Sequence, residues 1–188
     1  MRVLHRVLMA SAATFLVAAC APSITVGVNT APDLQTAAYR TFTWELPDQF
    51  PTGDPRLDNN PFFVRELQNA VTVELAVRGL REAQGETDLT VHFHATVRDR
   101  VDVYETDRVA GYDMSGYATS AQIVHYDEGM VLVDIAERTT KRVIWRGWMQ
   151  TDLSGAIGNS AVLGERVRRG MKELFEEFPE HVIAKGMQ

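Results

Sequence analysis

The sequence is poor in the residue patterns that usually reveal chemistry. It contains one cysteine, Cys20, among 188 residues, and it has no internal repeat and no low-complexity tract. It also lacks a phosphate-binding loop, a dinucleotide fingerprint, a nucleophile-elbow serine and a Ser-x-x-Lys motif. The sequence therefore assigns no catalytic residue and no cofactor.

Basic residues are also scarce. Lys and Arg number 19 against 25 Asp and Glu, for a formal net charge of −6. Nucleic-acid binding requires a basic footprint. The charge balance argues against a nucleic-acid partner and against electrostatic binding to anionic lipid.

The N-terminus has the layout of a secretory signal peptide. Arg2, His5 and Arg6 precede an uncharged apolar run at residues 7–19, which ends on small residues. A spanning helix needs about 20 apolar residues, so a permanent transmembrane segment is not expected. Residues 1–19 are predicted to be removed.

Residues 17–20, Val-Ala-Ala-Cys, resemble a lipobox, in which the cysteine thiol receives a diacylglyceryl group before cleavage. In an oxidising compartment a leftover cysteine is paired between chains, left free or consumed by modification. We therefore expect lipidation of Cys20; the alternative is an ordinary signal peptide with an incidental cysteine. Ala21 stands where aspartate commonly signals inner-membrane retention. The pattern favours the periplasmic face of the outer membrane over the inner membrane.

The mature chain, residues 20–188, has a length typical of one domain. Apolar stripes predict two helices: the first is capped by Asn60 and closed by Gly79, and the second is capped by Asn159 or Ser160 and stopped by Pro179. Alternating segments predict strands at 24–28, 39–44, 88–97, 117–126, 130–136 and 143–151. Residues 98–116 are expected to form an exposed hairpin tip or loop, and 127–129 a turn. The prediction is an α+β domain: a largely antiparallel sheet of five to seven strands with both helices on one face.

Six segments occur in the order seen in one family. They are residues 39–44 (YRTFTW), 74–80 (ELAVRGL), 88–91 (DLTV), 128–134 (EGMVLVD), 143–147 (VIWRG) and 174–179 (LFEEFP). The chain resembles, over roughly residues 23–179, the bacterial lipoproteins of the domain of unknown function 4136 family. The resemblance implies a lipidated envelope location and a sheet with two helices. Because it implies no established reaction, no catalytic residue is carried over.

Three histidines are the candidates for a metal site. His92 and His94 alternate on one predicted strand and would share a face, and His125 would lie on a nearby strand. Two histidines on a solvated face need no metal to explain them. Acidic residues at 99, 102, 105 and 107 could form a hydrolase pair, but a loop that alternates acidic and basic residues is typical of solvated, mutually paired charges.

Three other residues are candidates for a contact surface. Trp145 and Trp148 are an odd number of residues apart, which predicts one in the core and the other, Trp148, exposed. Arg166 and Arg169 line the outer side of the last helix, where they form either a solvated face or a patch for an acidic partner.

Two classes of function remain. The first is a non-catalytic, lipid-anchored module that binds an envelope protein or glycan. The second is an envelope-directed hydrolase or metal-dependent enzyme. Because the first strand begins at Ile24, the tether from Cys20 spans at most about 14 Å, so the domain is expected to lie close to the membrane.

Overall fold

The computed structural model describes residues 22–46, 51–58, 60–104 and 122–179. The strands are β1 (Ile24–Thr30), β2 (Thr41–Trp44), β3 (Arg81–Glu82), β4 (Leu89–Tyr104), β5 (Gln122–Glu137) and β6 (Val143–Asp152), and the helices are α1 (Pro61–Val77) and α2 (Ser160–Glu176). The six strands form one sheet in the order β1-β6-β5-β4-β2-β3, in which only β2 pairs in parallel with its neighbours. The predicted α+β class is confirmed. No helix in the described part of the chain is long and apolar enough to cross a membrane.

The helix ends lie where the sequence places them. The Asn60 side chain accepts hydrogen bonds from the amides of Phe62 and Phe63, and Pro61 is the first helical residue of α1. Gly79 has a φ of 81°, and the Leu80 amide donates to the Leu75 carbonyl at 3.0 Å. At the start of α2, the Asn159 side chain accepts hydrogen bonds from the backbone amides of Ala161 and Val162. Capping residues therefore define where the two helices begin and where α1 ends, as the sequence predicted.

Both helices cover the same face of the sheet, as predicted. Trp145 on β6 is fully buried, with its ring centroid 5.1 Å from that of Phe175 on α2. Gly147, two residues on, brings the β6 backbone close to Leu174. The α1 side chain Phe63 lines a small apolar space with residues of β4, β5, β6 and α2. The opposite face of the sheet carries neither helix.

Two sequence predictions along the central hairpin are wrong. Residues 98–104 of the predicted tip or loop (98–116) continue β4, and residues 127–129 lie within β5 instead of turning. The rest of that predicted loop and residues 117–121 of the predicted strand 117–126 lie outside the described residues. Charged residues pair across the two strands: Arg98 lies opposite Glu128, and Arg100 Nε donates to Glu128 at 2.9 Å. Gly129 is extended, and a Cβ there would lie 2.4 Å from the Leu153 side chain. The absence of a side chain at Gly129 therefore allows close packing against Leu153 and does not mark a turn.

The short strand β3 was not predicted. The Arg81 amide donates to the Arg40 carbonyl and the Ala83 amide donates to the Phe42 carbonyl, both at 2.9 Å. These bonds attach the residues after α1 to the edge of β2. Strand pairing of only two residues has no periodicity that a sequence pattern can show.

Candidate contact surface on the open face of the sheet

The sheet face opposite the helices is built from alternate residues of four neighbouring strands. Because successive side chains of a strand point to opposite faces, burial of Trp145 and Met149 against the helices places Arg146, Trp148 and Gln150 on the other side. We call this surface the open face. Its central residues are Thr25, Gly27 and Asn29 of β1, Arg146, Trp148 and Gln150 of β6, Met130, Leu132 and Asp134 of β5, and His92, His94 and Thr96 of β4.

A single cross-strand row forms the centre of the open face. His94, Leu132, Trp148 and Gly27 lie in register on four adjacent strands. A Cβ built on Gly27 would lie 2.5–2.7 Å from Cζ2, Cε2 and Nε1 of Trp148. The indole therefore lies directly against the β1 backbone, in space that only glycine leaves open. Trp148 and Leu132 are half-buried, so this row offers apolar area that the helical layer does not cover.

A charged row borders the centre on one side. Arg146 Nε and Nη2 donate to the two carboxylate oxygens of Asp134, each at 2.6 Å. This two-point geometry fixes both side chains, and the hydrogen bond and charge of Asp134 raise the pKa of Arg146. His92 occupies the same row on β4. The open face thus combines an apolar, aromatic centre with a fixed ion pair at its border.

The structure separates the three histidines considered as metal ligands. His92 and His94 share the open face, as predicted, but His125 lies on the other face of the sheet, opposite Val101. His125 Nδ1 is 3.7 Å from an oxygen of Asp99, and both side chains are largely exposed. Within residues 22–46, 51–58, 60–104 and 122–179, no group of three His, Cys, Asp or Glu side chains is placed to hold a metal ion.

Of the four acidic residues suggested for hydrolysis, the structure describes only the side chain of Asp99, which is exposed on β4. The side chain at position 102 and residues 105 and 107 lie outside the described part of the chain. Elsewhere, ion pairs and hydrogen bonds lower carboxyl pKa values: Arg56 lowers the pKa of Asp54, and backbone amides of residues 40 and 41 lower that of Asp88. A general acid for glycoside hydrolysis needs a raised pKa. These carboxylates are held ionised.

Arg166 and Arg169 belong to the helical layer and do not form one surface with Trp148. Arg166 donates to the backbone carbonyls of Asp152 and, at 3.2 Å, of Ser154. Arg169 Nη2 donates to the Pro22 carbonyl at 2.6 Å. The two arginines hold the loop after β6 and the segment that leads into β1. Whether either also contacts a partner stays a prediction.

Comparison of the sequence with protein-family models assigns the chain to a family. A family model described as Domain of unknown function (DUF4136) matches residues 26–180. The chain belongs to this family. The predicted membership is thereby confirmed over most of the chain, and Cys20 lies before the matched region and outside the described residues.

Three solved structures are similar to this DUF4136 protein at low sequence identity. A PDZ domain protein from Parabacteroides distasonis aligns with a TM-score of 0.52 at 13% identity, covering 84% of this chain and 36% of that one. A DUF4136 family protein from Bacteroides thetaiotaomicron aligns with a TM-score of 0.42 at 13% identity, covering 80% and 95%. A minor lipoprotein from Acinetobacter baumannii aligns with a TM-score of 0.40 at 10% identity, covering 74% and 94%. No curated protein sequence matches the chain.

Several open-face residues of the DUF4136 domain were not singled out from the sequence. Leu132, Asp134 and Arg146 gain their importance from cross-strand register with Trp148, which sequence spacing alone does not supply. The available signal was the alternation of β5, but a predicted turn at residues 127–129 divided that strand in two.

Proposed function

We propose that this protein is a lipid-anchored module of the bacterial envelope that binds a protein partner through the open face and carries out no reaction. The observation that carries the proposal is the half-buried Trp148, seated on Gly27 beside Leu132. Trp, Met and Arg are enriched at the centres of protein interfaces, and Met130 and Arg146 flank this row. The separation of the histidines and the ionised state of the paired carboxylates favour binding over catalysis.

The start of the domain supports the predicted anchor at Cys20. Pro22, only two residues later, is held by Arg169, and two extended residues reach at most about 7 Å. A lipid on Cys20 would therefore keep the domain against the bilayer. Because Arg169 is on α2, the chain leaves the domain on its helical side. The open face would then be turned away from the lipid, toward partners in the periplasm.

Anchoring is tested by labelling cells with a palmitate analogue. We expect the wild-type protein to carry the label and to fractionate with the outer membrane, and Cys20→Ser to carry none. The two acyl chains of a diacylglyceryl group supply the two signals that stable attachment requires. An unlabelled wild-type protein, or equal labelling of Cys20→Ser, would contradict lipidation at this residue.

Binding through the open face is tested by crosslinking in intact cells. Trp148→Ala should abolish capture of the partner that the wild-type protein captures reproducibly. Phe62→Ala is the matched control, because Phe62 is an aromatic residue that is 70% exposed on α1 in the helical layer, and it should retain capture. Capture that survives Trp148→Ala unchanged would refute the open face as the contact surface. Retention on purified peptidoglycan that is lost in Trp148→Ala would assign a glycan in place of a protein.

A further inference from the structure

The two edges of the sheet differ sharply in protection. One edge is β3, two residues long and formed by a charged pair, Arg81 and Glu82. The other edge is β1, seven residues of sequence ITVGVNT, with no charge and no proline and with unbroken register against β6. Natural sheets usually protect their edges with charges, prolines, bulges or short strands. β1 has none of these four features.

The hydrogen-bonding phase of β1 shows which groups point outward. The Ala31 amide donates to the Ile144 carbonyl of β6 at 2.9 Å. Because the pattern alternates along an antiparallel strand, Gly27 and Asn29 also direct their backbone groups toward β6. The backbone N–H and C=O groups of Val26 and Val28 then face away from the sheet. Among the strands that the structure describes, none pairs with that side of β1.

We propose that β1 pairs antiparallel with β1 of a second copy of this chain, about a two-fold axis at Gly27. This register pairs all seven residues of the strand, since Gly27 is its midpoint. Val26 of each copy lies opposite Val28 of the other on the helical side, and Thr25 lies opposite Asn29 on the open face. The absence of charge leaves no repulsion between identical strands, as an isologous interface requires.

Trp148 favours this register over its neighbours. Its indole covers Gly27 on the open face. With the axis at Gly27, the two glycines face each other, and the two indoles meet at the dimer centre. A shift of the axis by one residue in either direction would place Thr25 or Asn29 of the second copy opposite Gly27. The indole would then meet a polar side chain, and fewer β1 residues would be paired.

A pair of cysteines tests the register in the full-length protein in intact cells. In the dimer, Thr25 and Asn29 form a pair whose Cα atoms lie about 4.5 Å apart, within the range of a disulfide. The double variant Thr25→Cys, Asn29→Cys should become a covalent dimer under oxidising conditions, lost on reduction. Each single variant is the control, because identical positions of the two copies lie four residues out of register, about 14 Å apart. A double variant no more crosslinked than the single variants would overturn the proposal.

The introduction of charge provides a second test that leaves the core untouched, because Thr25 and Asn29 are exposed. Thr25→Lys with Asn29→Lys places like charges opposite each other twice in the dimer. The dimer dissociation constant of the detergent-solubilised protein, measured by light scattering at low salt, should rise roughly 2- to 30-fold. Thr25→Glu with Asn29→Lys pairs opposite charges and should bind at least as tightly as wild type. A monomeric wild-type protein, or equal dissociation constants for the two double variants, would refute β1 pairing.

Discussion

Replacement of Gly147 by alanine tests the packing of α2 on β6. A Cβ at this position would lie 2.2 Å from Cη2 and 2.7 Å from Cζ2 of Trp145, and 2.9 Å from Leu174 Cδ1. Trp145 is fully buried, and its ring lies 5.1 Å from that of Phe175 and 5.2 Å from that of Phe178. The rigid indole has no direction in which to retreat. The added methyl group must separate the helix from the sheet.

The expected cost follows from two opposing contributions. Overpacking of a well-filled core costs about 1–3 kcal/mol, while alanine reduces the entropy of the unfolded chain and returns about 0.4–1 kcal/mol. Taken at the midpoints of their ranges, the two contributions leave a net destabilisation of about 1–2 kcal/mol. For a domain of this size that lowers the Tm by about 2–8 °C. Thermal and urea unfolding, followed by circular dichroism, measure both quantities.

Gly158→Ala is the matched control for Gly147→Ala. A Cβ at Gly158 meets nothing within 4 Å, and its φ lies outside the positive range, so the same substitution should be neutral or stabilising by up to about 1 kcal/mol. If Gly147→Ala melts at or above the wild-type temperature, or if the two variants behave alike, the close contact of α2 with β6 is refuted.

Two further predictions concern the open face and the far end of the sheet. Gly27→Ala should displace the Trp148 indole from β1, which increases iodide quenching of tryptophan fluorescence; unchanged quenching would contradict the contact. Hydrogen bonds, first from Thr140 and then from Tyr39, lower the pKa of Glu137 to about 2, so its contribution to stability is present above pH 4.5 and is lost as pH falls through 2. Burial, and to a lesser extent the hydrogen bond to Glu137, raises the pKa of Tyr39 to about 12. The contribution of Tyr39 to stability is therefore present below pH 10 and is lost as the pH rises through 12. The free energy of unfolding, measured as a function of pH, should show both losses of stability. The Glu137→Gln variant should show a smaller loss at acid pH than the wild-type protein.

The helices were predictable because their signals are local. Asn60, Pro61 and Gly79 act on backbone groups within a turn of themselves, and the apolar stripe of α2 repeats at helical spacing. Strand alternation also predicted that Trp145 and Trp148 would lie on opposite faces of the sheet, with Trp148 exposed. Trp145 is buried, whereas Trp148 is half-buried, because its indole lies against Gly27. Each of these features depends on a few neighbouring residues.

The extended hairpin arm could not be predicted in the same way. Residues 98–100 alternate in charge and the segment up to residue 116 contains further charged residues and glycines, a composition typical of a loop. Only the pairing with β5 shows that residues 98–104 are a strand. Arg100 is satisfied by Glu128, 28 residues away. The open-face site has the same origin, because the row of His94, Leu132 and Trp148 exists only through the register of three strands. Long-range pairing, rather than local propensity, determines both.

The two proposals are geometrically compatible. Pairing of antiparallel edges about an axis perpendicular to the sheet leaves both helical layers on one side and both open faces on the other. Since Pro22 is held by Arg169 of the helical layer, both chains would leave the dimer toward the same side. The two Pro22 positions lie ten residues out of register, about 34 Å apart, so two lipid anchors can enter one bilayer side by side. The paired open faces, with both Trp148 indoles at their centre, would then be presented to a partner in the periplasm.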